Sequence, residues 1–281
     1  MNWPLLIFVL CFVATFILRI PIGLGMMMSA IYYFLLAPGA AAGIGMMANQ
    51  FLSQMSVKFV LIAVPLFIFA ANVMNNGEIT EMIFRWANSL VGRWHGGMGH
   101  VNVVASLIFS GMTGSALADA SGLGLMEIEA MRKHGYDDGF SCGITAASAT
   151  IGPVFPPSIP MIFYALLSGT SVGALFMGGM APGVLLAVAL MVYIDYIAKK
   201  RNFPKGEKYA LRAFLVMTFK ALPALFTPII LLGGIYTGIV TPTEAGALAG
   251  LYALLMAFFV YRVLGLKGLL NLKLLFPNQL Y

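Results

Sequence analysis

Between Phe140 and Ile194 the chain carries no Asp, Glu, Lys or Arg. An uncharged run of that length reads as membrane. Yet its first part, FSCGITAASATIGPVFPPSIPMIFYALL (Phe140–Leu167), places Ser148, Thr150, Gly152, Pro153, Pro156, Pro157 and Ser158 in the middle. Broken backbone facing hydrocarbon leaves polar groups unsatisfied at a cost of several kcal/mol each. Such backbone is stable at that depth only where it is buried in protein or lines a cavity, which is where membrane proteins place ion and substrate sites.

The rest of the composition agrees. Of 281 residues, 60% are hydrophobic and 9% charged, against about 25% charged in soluble domains. Long continuous apolar runs, rather than segments of about ten residues alternating polar and apolar, exclude a bacterial-type β-barrel. The expected fold is an all-α polytopic membrane protein. The net charge of +6 belongs to membrane orientation rather than to nucleic acid. Cys11 and Cys142 lie in apolar segments without partner spacing and read as buried small hydrophobes, not as a disulfide or zinc site. The segment Trp3–Leu18 lacks a basic leader and a cleavage site and reads as a retained helix.

Apolar windows predict helices over 3–18, 20–37 and 57–75, then an amphipathic stretch over 78–94 bearing Glu78, Glu81, Arg85, Arg93 and His95. From Val101 an apolar arm runs to SGMTGS (Ser110–Ser115), which at 1.5 Å per residue is about 15 Å, half of a core of about 30 Å. A second arm, Ser115–Met131, leads back to Arg132 and Lys133. Two half-length arms with a polar tip describe a re-entrant hairpin. Loop charge supports it: with the hairpin scored as no crossing, Arg19, Arg85, Arg93, Arg132, Lys133, the KKRNFPKGEK loop (Lys199–Lys208), Arg262 and Lys267 fall on one face, with the loop over 38–56 opposite. The broken span from Phe140 crosses, a helix from Pro182 to Ile197 returns, and helices over 222–237 and 243–261 follow. The count is about seven transmembrane helices plus one re-entrant hairpin and one broken helix, with the N-terminus periplasmic.

At a hairpin tip and a helix break, bare carbonyls and bare N–H donors meet. Carbonyls ending Val101–Phe109 and Gly143–Ala149, with the hydroxyls of Ser110, Thr113, Ser148 and Thr150, suit Na+; helix N-termini at Ser115 and Ser158 suit a carboxylate. Small polar residues in membrane helices also mediate close packing, so the weight lies on the cluster. Asp119, four residues after Ser115, is an intramembrane acid that either caps that helix or serves coupling. Thr241, Pro242 and Glu244 read as a capping box, and Asp195 as an i,i+4 partner of Lys199. His95, His100 and His134 read as interfacial polar residues, and Trp86, Trp94, Tyr136, Tyr193 and Tyr196 as interface anchors. No nucleophile elbow, HExxH or P-loop occurs, so an enzyme is not expected.

Three segments together, SGMTGSALADASGLG (Ser110–Gly124), TAASATIGPVFPPSIPM (Thr145–Met161) and GIVTPTEAGALAGLYAL (Gly238–Leu254), resemble the large membrane subunit of tripartite ATP-independent periplasmic (TRAP) transporters, the DctM-like family. The resemblance implies Na+-driven uptake of an organic acid anion, such as a dicarboxylate or sialic acid, in the bacterial inner membrane. It implies a small membrane subunit and a periplasmic substrate-binding protein as partners beside the lipid bilayer, no cofactor other than Na+ as coupling ion, and an elevator-like movement. On it, Ser110, Thr113, Gly114, Ser115, Ser148, Thr150, Gly152 and Pro153 hold the ion, and Ser115, Asp119, Pro157 and Ser158 the substrate.

The expected organisation is scaffold helices and an amphipathic arm over 1–100, a transport-type block over 101–180, further scaffold over 181–265, and a tail over 266–281 without family likeness. The family pattern resembles two inverted repeats, and this chain shows one. That makes a partial subunit the leading expectation, with a non-transporting scaffold that docks the small subunit, or another hairpin-containing ion-coupled transporter, as alternatives.

Overall fold

The computed structural model describes residues 3–36, 45–49, 52–53, 60–74, 77–206 and 209–261, the side chains of 77 and 78 excepted. Of the expected loop over 38–56, residues 38–44, 50–51 and 54–56 lie outside that description, as do the side chain of Glu78, Lys208, Arg262, Lys267 and the 266–281 tail. Two compact units form, over Met1–Phe59 and Val60–Tyr281.

In the first unit α1 (Trp3–Ile17) and α2 (Ile22–Leu36) pack as a pair. Gly25 lies against Thr15 so closely that a Cβ would come within 2.5 Å of its methyl. Small residues at a membrane helix contact let backbones approach in this way. Each helix has 15 residues, about 22 Å.

In the second unit α3 (Val60–Met74) bends by 74° into α4 (Gly77–Val91). The central elements follow: α5 (Gly97–Thr113), α6 (Ala116–Ser121), α7 (Leu123–Lys133), α8 (Asp138–Ala149) and α9 (Ile159–Ser168). The chain then runs through α10 (Val172–Arg201), α11 (Leu211–Tyr236) and α12 (Pro242–Leu255), the last continuing as a π-helical turn to Val260. Among the described residues three helices are long and apolar enough to cross a membrane, Val172–Arg201, Leu211–Tyr236 and Pro242–Val260, with the bent α3–α4 pair a fourth if counted as one span. Among the described residues there is no strand, only an isolated bridge between His95 and Lys205.

Packing explains the order. α12 lies along α3 through a stripe of Ala245, Gly246, Ala249, Gly250 and Ala253, all buried. A Cβ on Gly246 would sit 3.2 Å from Leu66, and one on Gly250 3.1 Å from Phe69. The capping box is present as expected: Glu244 Oε2 accepts from the Thr241 N–H at 2.7 Å, and the Thr241 hydroxyl accepts from the Glu244 N–H. Asp195 pairs with Lys199 at 2.6 Å.

Several sequence expectations are corrected. The helix expected from Pro182 begins at Val172, capped by Ser171, and runs straight through Pro182; a membrane helix tolerates that proline because neighbouring groups re-satisfy the freed carbonyl. The second hairpin arm is two helices, parted at Gly122 (φ −88°, ψ −82°). Tyr136 is buried rather than interfacial, stacked on Phe140 (5.9 Å) and packed against Phe203 (4.6 Å). His100 is likewise buried, its ring edge-on to Trp94 at 5.2 Å. Cys142 is exposed and Cys11 half-buried, because each apolar segment has an outer face as well as a packed one.

Asp137 closes the α7–α8 turn. Its carboxylate accepts the Phe140 N–H at 2.9 Å, capping α8, and an Arg201 N–H at 2.9 Å. The capping N–H first, then the guanidinium, hold this carboxyl below its usual range. A depressed folded value contributes stability above the unfolded pKa of about 3.9 and loses it as pH falls through the folded one. Asp137→Asn, which keeps a capping oxygen, is therefore expected to melt with a shallower decline between pH 6 and 3 than the parent in detergent.

Candidate functional site

The two polar breaks meet. α5 ends at Thr113 because Gly114 takes the left-handed conformation (φ 60°, ψ 21°), its N–H donating to the Ser110 carbonyl at 3.0 Å. Ser115 then starts α6, its hydroxyl accepting the Ala118 N–H at 3.3 Å. In the second break α8 ends at Ala149, residues 150–157 turn, and Ser158 starts α9. The Ser158 hydroxyl accepts from the Met161 N–H at 3.4 Å and donates to the Pro153 carbonyl at 2.6 Å. The Ile159 N–H donates to the Gly114 carbonyl at 3.4 Å. A Cβ on Gly114 would collide with the Pro157 carbonyl oxygen, and one on Gly152 would lie 3.1 Å from the Ser115 carbonyl carbon. The C-terminal ends of α5 and α8 and the N-terminal ends of α6 and α9 thus share one junction.

Along α5, Asn102, Ser106, Ser110 and Thr113 recur at i, i+4, i+8 and i+11, which puts them on one face. All four are buried. The Asn102 amide nitrogen donates to Glu127 Oε2 (2.6 Å) and to the Thr145 hydroxyl (2.7 Å). Its oxygen accepts from Ser148 (2.7 Å), to which Ser106 donates in turn (3.1 Å). This network ties α5, α7 and α8 together. Toward the junction the pattern changes. Among the described residues, Ser110 Oγ, Thr113 Oγ1, both carboxylate oxygens of Asp119 and Glu127 Oε1 are buried and have no hydrogen-bond partner. Leaving such groups unmade costs about 1–3 kcal/mol each; the ring nitrogens of His100 and the hydroxyls of Tyr136, Thr227 and Tyr236 are in the same state elsewhere, whereas Ser110, Thr113 and Asp119 all lie within five residues of the Gly114 turn.

The residues singled out from the sequence fall into distinct environments. Ser110, Thr113 and Asp119 present free oxygens beside the junction, while Gly114, Ser115, Gly152 and Pro157 form its backbone contact. Ser148 belongs to the buried network, and Thr150 is exposed with its hydroxyl donating to the Ala147 carbonyl at 2.6 Å. The Pro153 carbonyl and the Ser158 hydroxyl satisfy each other. At α9 no first-turn donor remains for an outside anion: the Ile159 N–H goes to Gly114, Pro160 has none, and the Met161 N–H goes to Ser158. The free groups beside the junction are therefore two hydroxyls, which can donate or accept, and the Asp119 carboxyl. Asn102, Ser106, Glu127 and Thr145 escaped the sequence reading, although the α5 spacing and the acids of the second arm, Asp119, Glu127 and Glu129, were legible there. Among the described residues no three His, Cys, Asp or Glu side chains gather as transition metals require.

Comparison with known proteins follows from this geometry. The family model of the tripartite ATP-independent periplasmic transporter DctM component matches residues 9–276. The sialic acid TRAP transporter large permease protein SiaM of Vibrio cholerae is 45% identical over 252 residues, covering 90% of this chain and 58% of that protein. The sialic acid TRAP transporter permease protein SiaT of Haemophilus influenzae is 46% identical, covering 90% of this chain and 40% of its own length. The C4-dicarboxylate TRAP transporter large permease protein DctM of Pseudomonas aeruginosa is 38% identical, covering 75% and 49%. The chain thus spans roughly half the length of the relatives it matches.

Two substitutions test the construction. Gly114→Ala is expected to lower the melting stability by more than Gly135→Ala: both carry the left-handed cost of about 1–2 kcal/mol, but only Gly114 faces a backbone oxygen while Gly135 faces open space. Asn102→Ala leaves Glu127 Oε2 without its donor and is expected to cost about 1–3 kcal/mol, whereas Glu127→Gln, which keeps that acceptor, stays close to the parent in the same thermal scan.

Proposed function

Because the chain belongs to the DctM component family of tripartite ATP-independent periplasmic transporters, we propose that it forms part of the membrane path for sodium-coupled uptake of an organic acid anion. The observation that carries this reading is the group of buried, partnerless oxygens on Ser110, Thr113 and Asp119 beside a junction of helix ends. An unsolvated Na+ needs oxygen ligands, and hydroxyls, a carboxylate and helix-terminal carbonyls supply them without a fixed positive charge nearby. Asp119 holds the ion with Ser110 and Thr113, and the carbonyls around Gly152 complete the shell.

In this reading the pair α5 and α6–α7 is a re-entrant hairpin and α8–α9 a broken span. With the other apolar helices, for about seven spanning segments, they form a multi-pass inner-membrane protein with a periplasmic N-terminus. The block over 101–180 moves as an elevator against the flanking helices, and the small membrane subunit and a periplasmic binding protein are its partners. Relatives at 45% and 46% identity are named for sialic acid, one at 38% for C4-dicarboxylates, so sialic acid is the first substrate to try. With the first-turn donors of α9 engaged within the protein, the substrate carboxylate in this reading lies on the α6 side, near the Ser115 turn, with Na+ neutralising Asp119.

Thermal scanning of the purified chain in NaCl and KCl at equal ionic strength tests the ion site. Na+ is expected to raise the melting point, by linkage worth about 2.7 kcal/mol at a hundredfold excess over Kd. Asp119→Asn and Ser110→Ala are expected to abolish the Na+-specific shift while leaving the KCl melt in place. Equal shifts in both salts would remove the ion site, and absence of Na+-gradient-driven sialic acid uptake with both partners present would remove the substrate assignment.

A further inference from the structure

Outside the junction, the groove between α4 and the start of α11 has the chemistry of a second ligand. It encloses about 700 Å³ between Met82 and Arg85 on one side and Arg212, Val216, Met217 and Lys220 on the other. Its walls are mainly aliphatic, and Arg85, Arg212 and Lys220 outnumber its single acid, Glu81. Arg85 is paired with Glu81 at 2.6 Å, so that carboxylate is already neutralised. Arg212 and Lys220 are exposed and have no carboxylate partner among the described residues, so among those residues the groove carries two positive charges beyond the Arg85–Glu81 pair. The frame is fixed rather than loose. The Trp86 indole donates to the Thr218 hydroxyl at 3.1 Å, and the Asn88 amide donates to the Tyr209 hydroxyl at 3.2 Å, each joining α4 to α11 or its approach.

The setting selects the ligand. α4 buries Ile79, Ile83 and Ala87 completely and turns Arg85 outward, the pattern of a helix lying at a membrane surface. α11 has 26 residues, about 39 Å, against a hydrocarbon core of about 30 Å. Its first turns therefore stand at headgroup level, and a Lys at the third turn reaches that level along its own stem. Basic pockets between membrane helices at this depth recognise phospholipid phosphates. A soluble anion makes no use of the apolar walls, and an apolar peptide leaves both cations bare.

We propose that this groove binds an anionic phospholipid, with Arg212 and Lys220 on the phosphate and Met82, Val216 and Met217 against the glycerol and upper acyl chains. Two cations match in number the two phosphates of diphosphatidylglycerol, where a single phosphate would leave one of them unanswered. This site is independent of the ion junction and requires only that the chain sits in a membrane.

Native mass spectrometry of the detergent-purified chain, titrated with diphosphatidylglycerol, phosphatidylglycerol or phosphatidylcholine, is the test. Expected is retention in the order diphosphatidylglycerol, phosphatidylglycerol, phosphatidylcholine, with inorganic phosphate at the same concentration failing to displace the lipid. Arg212→Ala with Lys220→Ala is expected to weaken diphosphatidylglycerol binding about thirtyfold, the charge-keeping pair Arg212→Lys with Lys220→Arg to retain it, and Lys199→Ala, at another site, to leave it unchanged. Equal retention of phosphatidylcholine, displacement by inorganic phosphate, or unchanged binding in the double alanine variant overturns the assignment.

Discussion

The close approach of the Gly114 turn to the second break is the contact on which the central part of this protein depends. Gly114 must take a left-handed conformation to end α5, and the space beside it is filled by the Pro157 carbonyl. Only a residue without a Cβ meets both demands. Because of that contact, the Ile159 N–H can reach the Gly114 carbonyl, Gly152 can lie under Ser115, and four helix ends share one junction instead of exposing their backbone separately to hydrocarbon.

Polar satisfaction then divides the region in two. Deeper along α5, Asn102 uses its full amide on Glu127, Thr145 and Ser148, and the network holds three helices in one register. Nearer the junction, Ser110, Thr113 and Asp119 are equally buried but unanswered. In the first set Glu127 Oε1 is the unpaired oxygen, while in the second none of the side-chain oxygens has a partner. The first-turn donors of α9 are meanwhile consumed within the protein, by the Gly114 carbonyl and the Ser158 hydroxyl.

Much of this was legible in the chain. Breakers at Gly114 and Pro153–Pro157, the caps at Ser115, Ser158 and Thr241, and the Asp195–Lys199 pair follow local rules whose partners lie within a few residues. Local rules failed where a distant neighbour outweighed them. Pro182 reads as a boundary but sits inside a helix of 30 residues. Tyr136 reads as an interface anchor, yet Phe203, far along the chain, covers it. Glu127 passed unnoticed because its partner Asn102 is 25 residues away.

The sequence was sufficient to establish that the chain is helical, that it belongs in a membrane, where its helices break and which caps start them, since hydrophobic transfer and capping are decided residue by residue or within one turn. It could not say that the two breaks touch, that Ser148 is committed to a network while Ser110 and Asp119 are free, or that Arg212 and Lys220 share a groove with Arg85. Those outcomes depend on which helix faces pack together. That choice is made by the fit of glycine and alanine stripes against distant side chains, through contacts between residues that the order of the chain keeps apart.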